Sequence, residues 1–145
     1  MDVTASTVYL GSVVLLFVKY VLAIVVQARE RHAARQYRYP EDAAYWQGSV
    51  AADSETCQRA QSLLRNDAES QPFYLVLGAA YASLGLGSGG ACAYFGGYVL
   101  SRFCHAYFMF GGRQPHRTRA FSIGVFILVL LASQLLAHSL ALSLR

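Results

Sequence analysis

Arg65, Asn66, Asp67 and Glu69 stand within five residues of one another, just ahead of Pro72 and an almost purely apolar run. Arg102 and His105 interrupt a second apolar stretch, Arg117 opens a third, and Lys19 lies midway down an earlier one. A guanidinium grips a carboxylate through two parallel hydrogen bonds, and a Glu carboxylate holds an ammonium. Arg65, Asn66, Glu69, His105 and Arg117 together therefore read as a receptor for a small, water-soluble zwitterion with extra carboxylates. Lys19, Asp67 and Arg102 have a plainer reading, a buried ion-pair network that fixes helix register.

The elements that must carry these groups are apolar. The chain has 145 residues, 55% of them hydrophobic and only 14% charged, where soluble domains average about 25% charged. A helix needs roughly 20 residues to cross about 30 Å of hydrocarbon. The apolar runs predict spans at 8–28, 63–86, 91–110 and 118–144, the second reaching spanning length only through its polar N-terminal extension. Strands are not expected, since a barrel needs many alternating segments of about ten residues. The N-terminal run lacks a basic leader and is too long for a cleaved signal peptide, so it reads as a retained first span.

Charge sets the topology. The connection 29–62 holds Arg29, Arg31, Arg35, Arg38 and Arg59, and the third connection holds Arg113, Arg117 and Arg119. The turn GLGSGG has no charge and the N-terminal tail has only Asp2. Arginine-rich connections stay cytoplasmic. The expectation is a single all-α domain over 1–145, an integral membrane four-helix bundle with up-down topology and both termini on the non-cytoplasmic side. Endoplasmic reticulum and bacterial inner membrane both fit. Within this frame His105 would lie about 7 Å and Arg102 about 12 Å below the cytoplasmic end of their helix, at 1.5 Å per residue. Tyr37, Tyr39, Tyr45 and Trp46 read as interfacial anchors.

Other chemistries find little support. A net charge of +4 without a basic block argues against nucleic acid. Cys57, Cys92 and Cys104 form no CxxC, and the four histidines have no metal-ligand spacing, so no metal is expected. GLGSGG is not followed by Lys-Ser/Thr and reads as a tight turn. Ser133 and His138 lie on different helix faces with no acid nearby, which disfavours a nucleophile there.

The ordered elements YPEDA (39–43), RNDAE (65–69), PF (72–73), RFCHA (102–106) and PHR (115–117) resemble the MAPEG superfamily, small four-helix membrane proteins of eicosanoid and glutathione metabolism. The likeness is nearest to microsomal glutathione transferase and microsomal prostaglandin E synthase. It implies a homotrimer with glutathione bound between neighbouring subunits near the cytoplasmic face. The positions that match the family's glutathione contacts are Arg31, Arg65, Asn66, Glu69, His105 and Arg117, with Ser122 standing where the synthase has Thr. Arg117 would stabilise the thiolate, Thr118 would donate to the same sulfur, and Asp42 matches a loop carboxylate tied to the synthase's proton handling. Spacing after Pro115 favours Arg117 over Arg119 for the sulfur.

Two hydroxyls of the synthase pattern are replaced, by Met109 on the third helix and Phe121 on the fourth. The resemblance thus implies, first, a transferase that conjugates glutathione to lipophilic electrophiles arriving from membrane lipid, with peroxidase activity on lipid hydroperoxides as an extension. A glutathione-dependent prostaglandin E synthase is the second reading. A non-catalytic lipid-binding scaffold is a third, of another class.

Overall fold

A computed structural model describes residues 3–144 of the chain; Asp2, the lone charge expected in the N-terminal tail, lies outside them. Helix α1 runs Val3–Ala34, and α3 runs Glu55–Ser83. The next stretch is helical in three pieces: α4 (Ser88–Ala91), a π turn (Cys92–Gly96) and α5 (Gly97–Phe110). Helix α6 runs His116–Ser143. The connection after α1 carries a short helix, α2 (Pro40–Tyr45), between two two-residue strands, Gln36–Tyr37 and Ser49–Val50, which pair in parallel. Among the described residues, that strand pair is the one departure from the all-helical expectation.

The long helices alternate in direction. Along α1 and α3, Tyr9 Oη donates to the Leu75 carbonyl, Ser12 meets Tyr74, Lys19 meets Asp67, and the Cys57 thiol reaches the Gln27 carbonyl. Numbers rise on one helix as they fall on the other, so the two are antiparallel. Contacts between Tyr74 and Tyr98 and between Asn66 and Arg102 make α3 antiparallel to α5. Contacts from Arg102 to Phe121 and from His105 to Arg117 do the same for α5 and α6.

Helices α1 and α6 are each long and apolar enough to cross a membrane, and only 22% of the most apolar stretch of either is buried. Helices at the core of a soluble domain would be mostly buried. Phe17 and Val14 on α1 and Phe126 and Ile123 on α6 instead point outward, as lipid-facing side chains do. Helix α3 begins eight residues before the expected span, because Ser54 caps it by accepting the Cys57 N–H at 3.2 Å. The segment 55–62, expected in the loop, is therefore two polar turns of helix, and the true connection is 35–54.

Inside, aromatic rings fill the half of the bundle near the glycine turn. Tyr74 and Tyr98 stack at 4.3 Å, and Phe95 and Tyr81 close edge-on around them. The next layer is charged. Lys19 and Asp67 pair at 2.5 Å, almost fully buried. Arg102 is wholly buried and lies 4.9 Å over the Tyr98 ring. Its guanidinium donates to Asn66 Oδ1 (3.2 Å), Ser70 Oγ (3.4 Å) and the Phe121 carbonyl (3.2 Å). Only glycine fits opposite it: a methyl at Gly124 would lie 2.1 Å from Arg102 Nη2. The expected ion-pair network is thus present for Lys19 and Asp67, while Arg102 donates through its two Nη atoms to neutral oxygens and lies against π faces, its Nε having no hydrogen-bond partner among the described residues.

Breaking one member of a buried pair leaves the other charge stranded, at about 3–5 kcal/mol, whereas apolar replacement of both is often nearly neutral. Asp67→Asn should therefore lower the detergent unfolding midpoint more than the double change Lys19→Met/Asp67→Leu. Equal losses in thermal scans would show that the pair does not govern stability.

Candidate functional site

A stripe along α3 lines a cavity of about 620 Å³ at the arginine-rich end of the bundle: Glu55, Gln58, Arg59, Ser62 and Asn66. Their spacing is helical, so they share a face. His105 and Met109 of α5 form the second wall. Arg117, Thr118 and Phe121 of α6 form the third.

Each wall is braced from behind. Asn66 enters the cavity with its carbonyl held by Arg102, which leaves the two amide N–H groups and one oxygen lone pair as its remaining capacity. His105 Nδ1 lies 3.2 Å from the Arg117 carbonyl. A carbonyl only accepts, so Nδ1 carries the hydrogen and Nε2 of the neutral ring is an acceptor. That Nε2 is buried and has no hydrogen-bond partner among the described residues. Buried polar atoms are ordinarily satisfied, and His105 Nε2 shares its unpartnered state with Tyr98 Oη and Arg102 Nε deeper in the bundle.

Arg117 is held by neutral groups. Nη1 donates to Met109 Sδ at 3.5 Å. The Gln114 amide, turned so that its oxygen faces the guanidinium, accepts from Nε at 3.1 Å and Nη2 at 2.6 Å while its nitrogen donates to Thr118 Oγ1 at 3.0 Å. No carboxylate pairs with Arg117 among the described residues, unlike Arg31, Arg59 and Lys19. Its charge is thus available to an anion in the cavity. Arg59 instead spans the rim. It pairs with Glu55 and donates to the Met109 and Phe110 carbonyls, tying α3 to the end of α5. Gly112, at φ +63°, turns the chain beside it, where a methyl would come within 2.8 Å of Arg59.

Of the residues singled out from the sequence, Asn66, His105, Arg117 and Thr118 converge on this cavity. Arg65 and Glu69 do not; both are exposed on α3 and neither lines the cavity, Arg65 lying about 100° around the helix from Asn66 and Glu69 a turn further toward the glycine end. Ser122 is exposed on α6 and off the cavity, and Asp42 is exposed on α2. Arg31 is engaged within the chain, bidentate to Asp53 at 2.9 and 3.0 Å. Arg117 lines the cavity and Arg119 does not. Sequence reading missed Arg59, Ser62 and Gln58, whose signal was the helical spacing running back from Asn66, and Gln114, which gave none. Tyr37, read as an anchor, is buried, with its hydroxyl 3.0 Å from His32 Nδ1.

A polar chamber with an uncompensated guanidinium, cut into an apolar bundle, narrows the field. Residues 8–137 match the MAPEG family. The chain belongs to the MAPEG family. Comparison with curated proteins gives no match. MAPEG proteins are membrane-associated and serve eicosanoid and glutathione metabolism, and they commonly use glutathione. The chamber suits that tripeptide. Asn66 and Arg117 offer donors to its carboxylates and carbonyls, and the His105 ring forms part of the wall beside them. Met109 and Phe121 stand in this MAPEG chamber as a thioether and a phenyl ring, so two wall positions offer no hydroxyl.

Asp53 also receives Gln61 Nε2. Its hydrogen bonds with Arg31 hold the carboxyl below the usual Asp range. A depressed carboxyl contributes stability that is complete above the ordinary value of about 3.9 and is lost as pH falls through the lower folded value. Trp46, the single tryptophan, packs on His32 at 4.7 Å and reports on this connection. Its emission should hold steady down to below the ordinary Asp range, then shift. In Asp53→Asn it should be shifted already at neutral pH, and an acid transition unchanged by that substitution would refute the clamp.

Proposed function

We propose that the protein is a membrane glutathione transferase that activates the glutathione thiol for attack on lipophilic electrophiles. The observation that carries this reading is Arg117, a guanidinium on the wall of a polar chamber with only neutral partners. A free thiol of pKa about 8.5 is mostly protonated at neutral pH, and a nearby cation raises the reactive thiolate fraction. Arg117 stabilises the sulfur anion, Thr118 donates to it, and Asn66 and His105 orient the peptide. With a chloronitrobenzene, the sulfur forms a bond to the ring carbon, chloride departs, and the thiol proton passes to solvent. The chamber flanks an apolar helix, so a lipophilic acceptor reaches it from the bilayer.

Arg65 and Glu69 belong to the same reading through assembly. They are exposed on the outer face of α3 in the single chain, where packing of a homotrimer brings one subunit's polar groups to a neighbour's chamber. Ser122, exposed on α6, is a glutathione contact on the same basis, and Arg31 becomes one only by exchanging Asp53 for the ligand's carboxylate. The connections at the chamber end face the cytoplasm, of endoplasmic reticulum or bacterial inner membrane, and both termini lie opposite. Peroxidase action on lipid hydroperoxides uses the same activated thiol. Prostaglandin isomerisation, for which Asp42 would handle a proton, is disfavoured by the loss of two hydroxyls at Met109 and Phe121. A non-catalytic lipid scaffold would have no use for an uncompensated Arg117.

Purified protein should bind labelled glutathione at millimolar concentration in equilibrium dialysis and conjugate it to chlorodinitrobenzene. Arg117→Ala should lower kcat/KM by about a hundredfold, the effect of removing one oxyanion donor. It should also move the pH–rate inflection up toward the free-thiol value of about 8.5. Asp42→Asn should leave the conjugation rate unchanged. Full activity in Arg117→Ala would overturn the assignment, and absence of glutathione binding would favour the scaffold.

A further inference from the structure

The chain has two methionines, Met1 and Met109, and of these only Met109 lies among the described residues. It forms part of the α5 wall of the polar chamber. Methionine ordinarily fills gaps in an apolar core, and Met109 does cluster with Ala23 and Leu63. Its sulfur is used differently: Sδ accepts a hydrogen bond from Arg117 Nη1 at 3.5 Å. A thioether is a weak acceptor, and a guanidinium has five N–H groups. On Arg117 one of these goes to Met109 and two go to the Gln114 oxygen, so two are uncommitted among the described residues. An electron-rich sulfur and unused cationic donors thus stand side by side in a cavity of about 620 Å³. No cysteine lines that cavity among the described residues, so the thioether is its one reducing group.

We propose that Met109 is a modification site, oxidised to its sulfoxide by an organic hydroperoxide that enters the chamber, with Arg117 assisting. A sulfur lone pair attacks the terminal peroxide oxygen. The O–O bond breaks as the S–O bond forms, and the proton on the terminal oxygen passes to the departing one. The sulfur loses two electrons, the peroxide gains them, and the hydroperoxide leaves as the alcohol. Negative charge builds on the departing oxygen in the transition state, where an uncommitted Arg117 N–H stabilises it. The product then acts back on Arg117. Oxidation turns an apolar side chain into a polar one, and the sulfoxide oxygen is a far stronger acceptor than the thioether it replaces. It holds the guanidinium and takes up the charge that the chamber offers to an anion. Oxidation of Met109 is therefore a brake on Arg117. The oxygen transfer itself does not rest on the transferase reading.

The test uses the full chain in nanodiscs of saturated phosphatidylcholine, its cysteines blocked with N-ethylmaleimide, and cumene hydroperoxide as oxidant. Fragment masses should place one added oxygen on Met109. The rate should exceed that of N-acetylmethionine amide in the same suspension by about tenfold, a modest share of what one oxyanion donor supplies. Arg117→Ala should bring it down to the rate of the free amide or below. Phenylglyoxal, which modifies uncommitted guanidinium groups, reads the consequence. After oxidation Arg117 should react about fivefold more slowly relative to Arg119, the effect of one added hydrogen bond; Arg119 lines a separate groove on the other flank of α6. Met109→Gln should show the slow Arg117 rate without any peroxide, and Met109→Leu should show one rate with and without it. Wild-type Met109 oxidising no faster than the free amide would overturn the proposal, and so would an Arg117 rate that oxidation leaves unchanged. Neither readout uses glutathione, so failure here is distinct from failure of the transferase reading.

Discussion

The buried contact between Lys19 and Asp67, with Arg102 beside it, is the constraint around which the rest of the bundle is arranged. A charge at membrane depth costs several kcal/mol unless it is paired, so each of these groups admits few neighbours. Lys19 ties α1 to α3. Arg102 ties α5 to α3 through Asn66 and Ser70, and to α6 through the Phe121 carbonyl. All four long helices thus meet in one polar layer, and a slip of any one would strand a charge. Apolar contacts cannot do this. Lipid tails match leucine in polarity, so greasy surfaces fix no register between membrane helices. Gly124 belongs to the same device, as the gap on α6 that the Arg102 guanidinium occupies.

The polar layer also shapes the chamber above it. Asn66 belongs to both, holding Arg102 with its oxygen and facing the cavity with what remains. Arg117 is then built the other way from Arg102: near the end of the bundle, braced by a thioether and an amide rather than walled in. One arginine holds the helices together, and the other lines the cavity with only neutral partners. The difference lies in depth and neighbours, since the two side chains are chemically identical.

Helix α6 separates two environments. Its Arg117 and Phe121 flank turns to a polar cavity, and its Arg119, Ile123 and Ile127 flank turns to an apolar groove. Both sit at the arginine-rich end. The same helix thus presents a polar flank to one cavity and an apolar flank to the other.

Much of this was legible in the chain itself. The apolar runs determined four helices, since helical backbone alone satisfies its own polar groups in lipid. The arginine distribution determined which ends of those helices lie together. The polar residues Asn66, His105 and Arg117 stood out against their apolar surroundings, and all three line one cavity. The start of α3 was less visible, because a polar helix outside the hydrocarbon reads like a loop until its Ser54 cap is noticed. Only the tertiary structure decided that Asn66, not Arg65 or Glu69, enters the chain's own chamber, that Arg31 is claimed by Asp53, and that Arg117 and Arg119 part ways. Composition and period record what a residue is and how it lies along its own helix. Which face of that helix meets which neighbour depends on how helices distant in sequence rotate to pair their buried charges, and that is settled only when they pack.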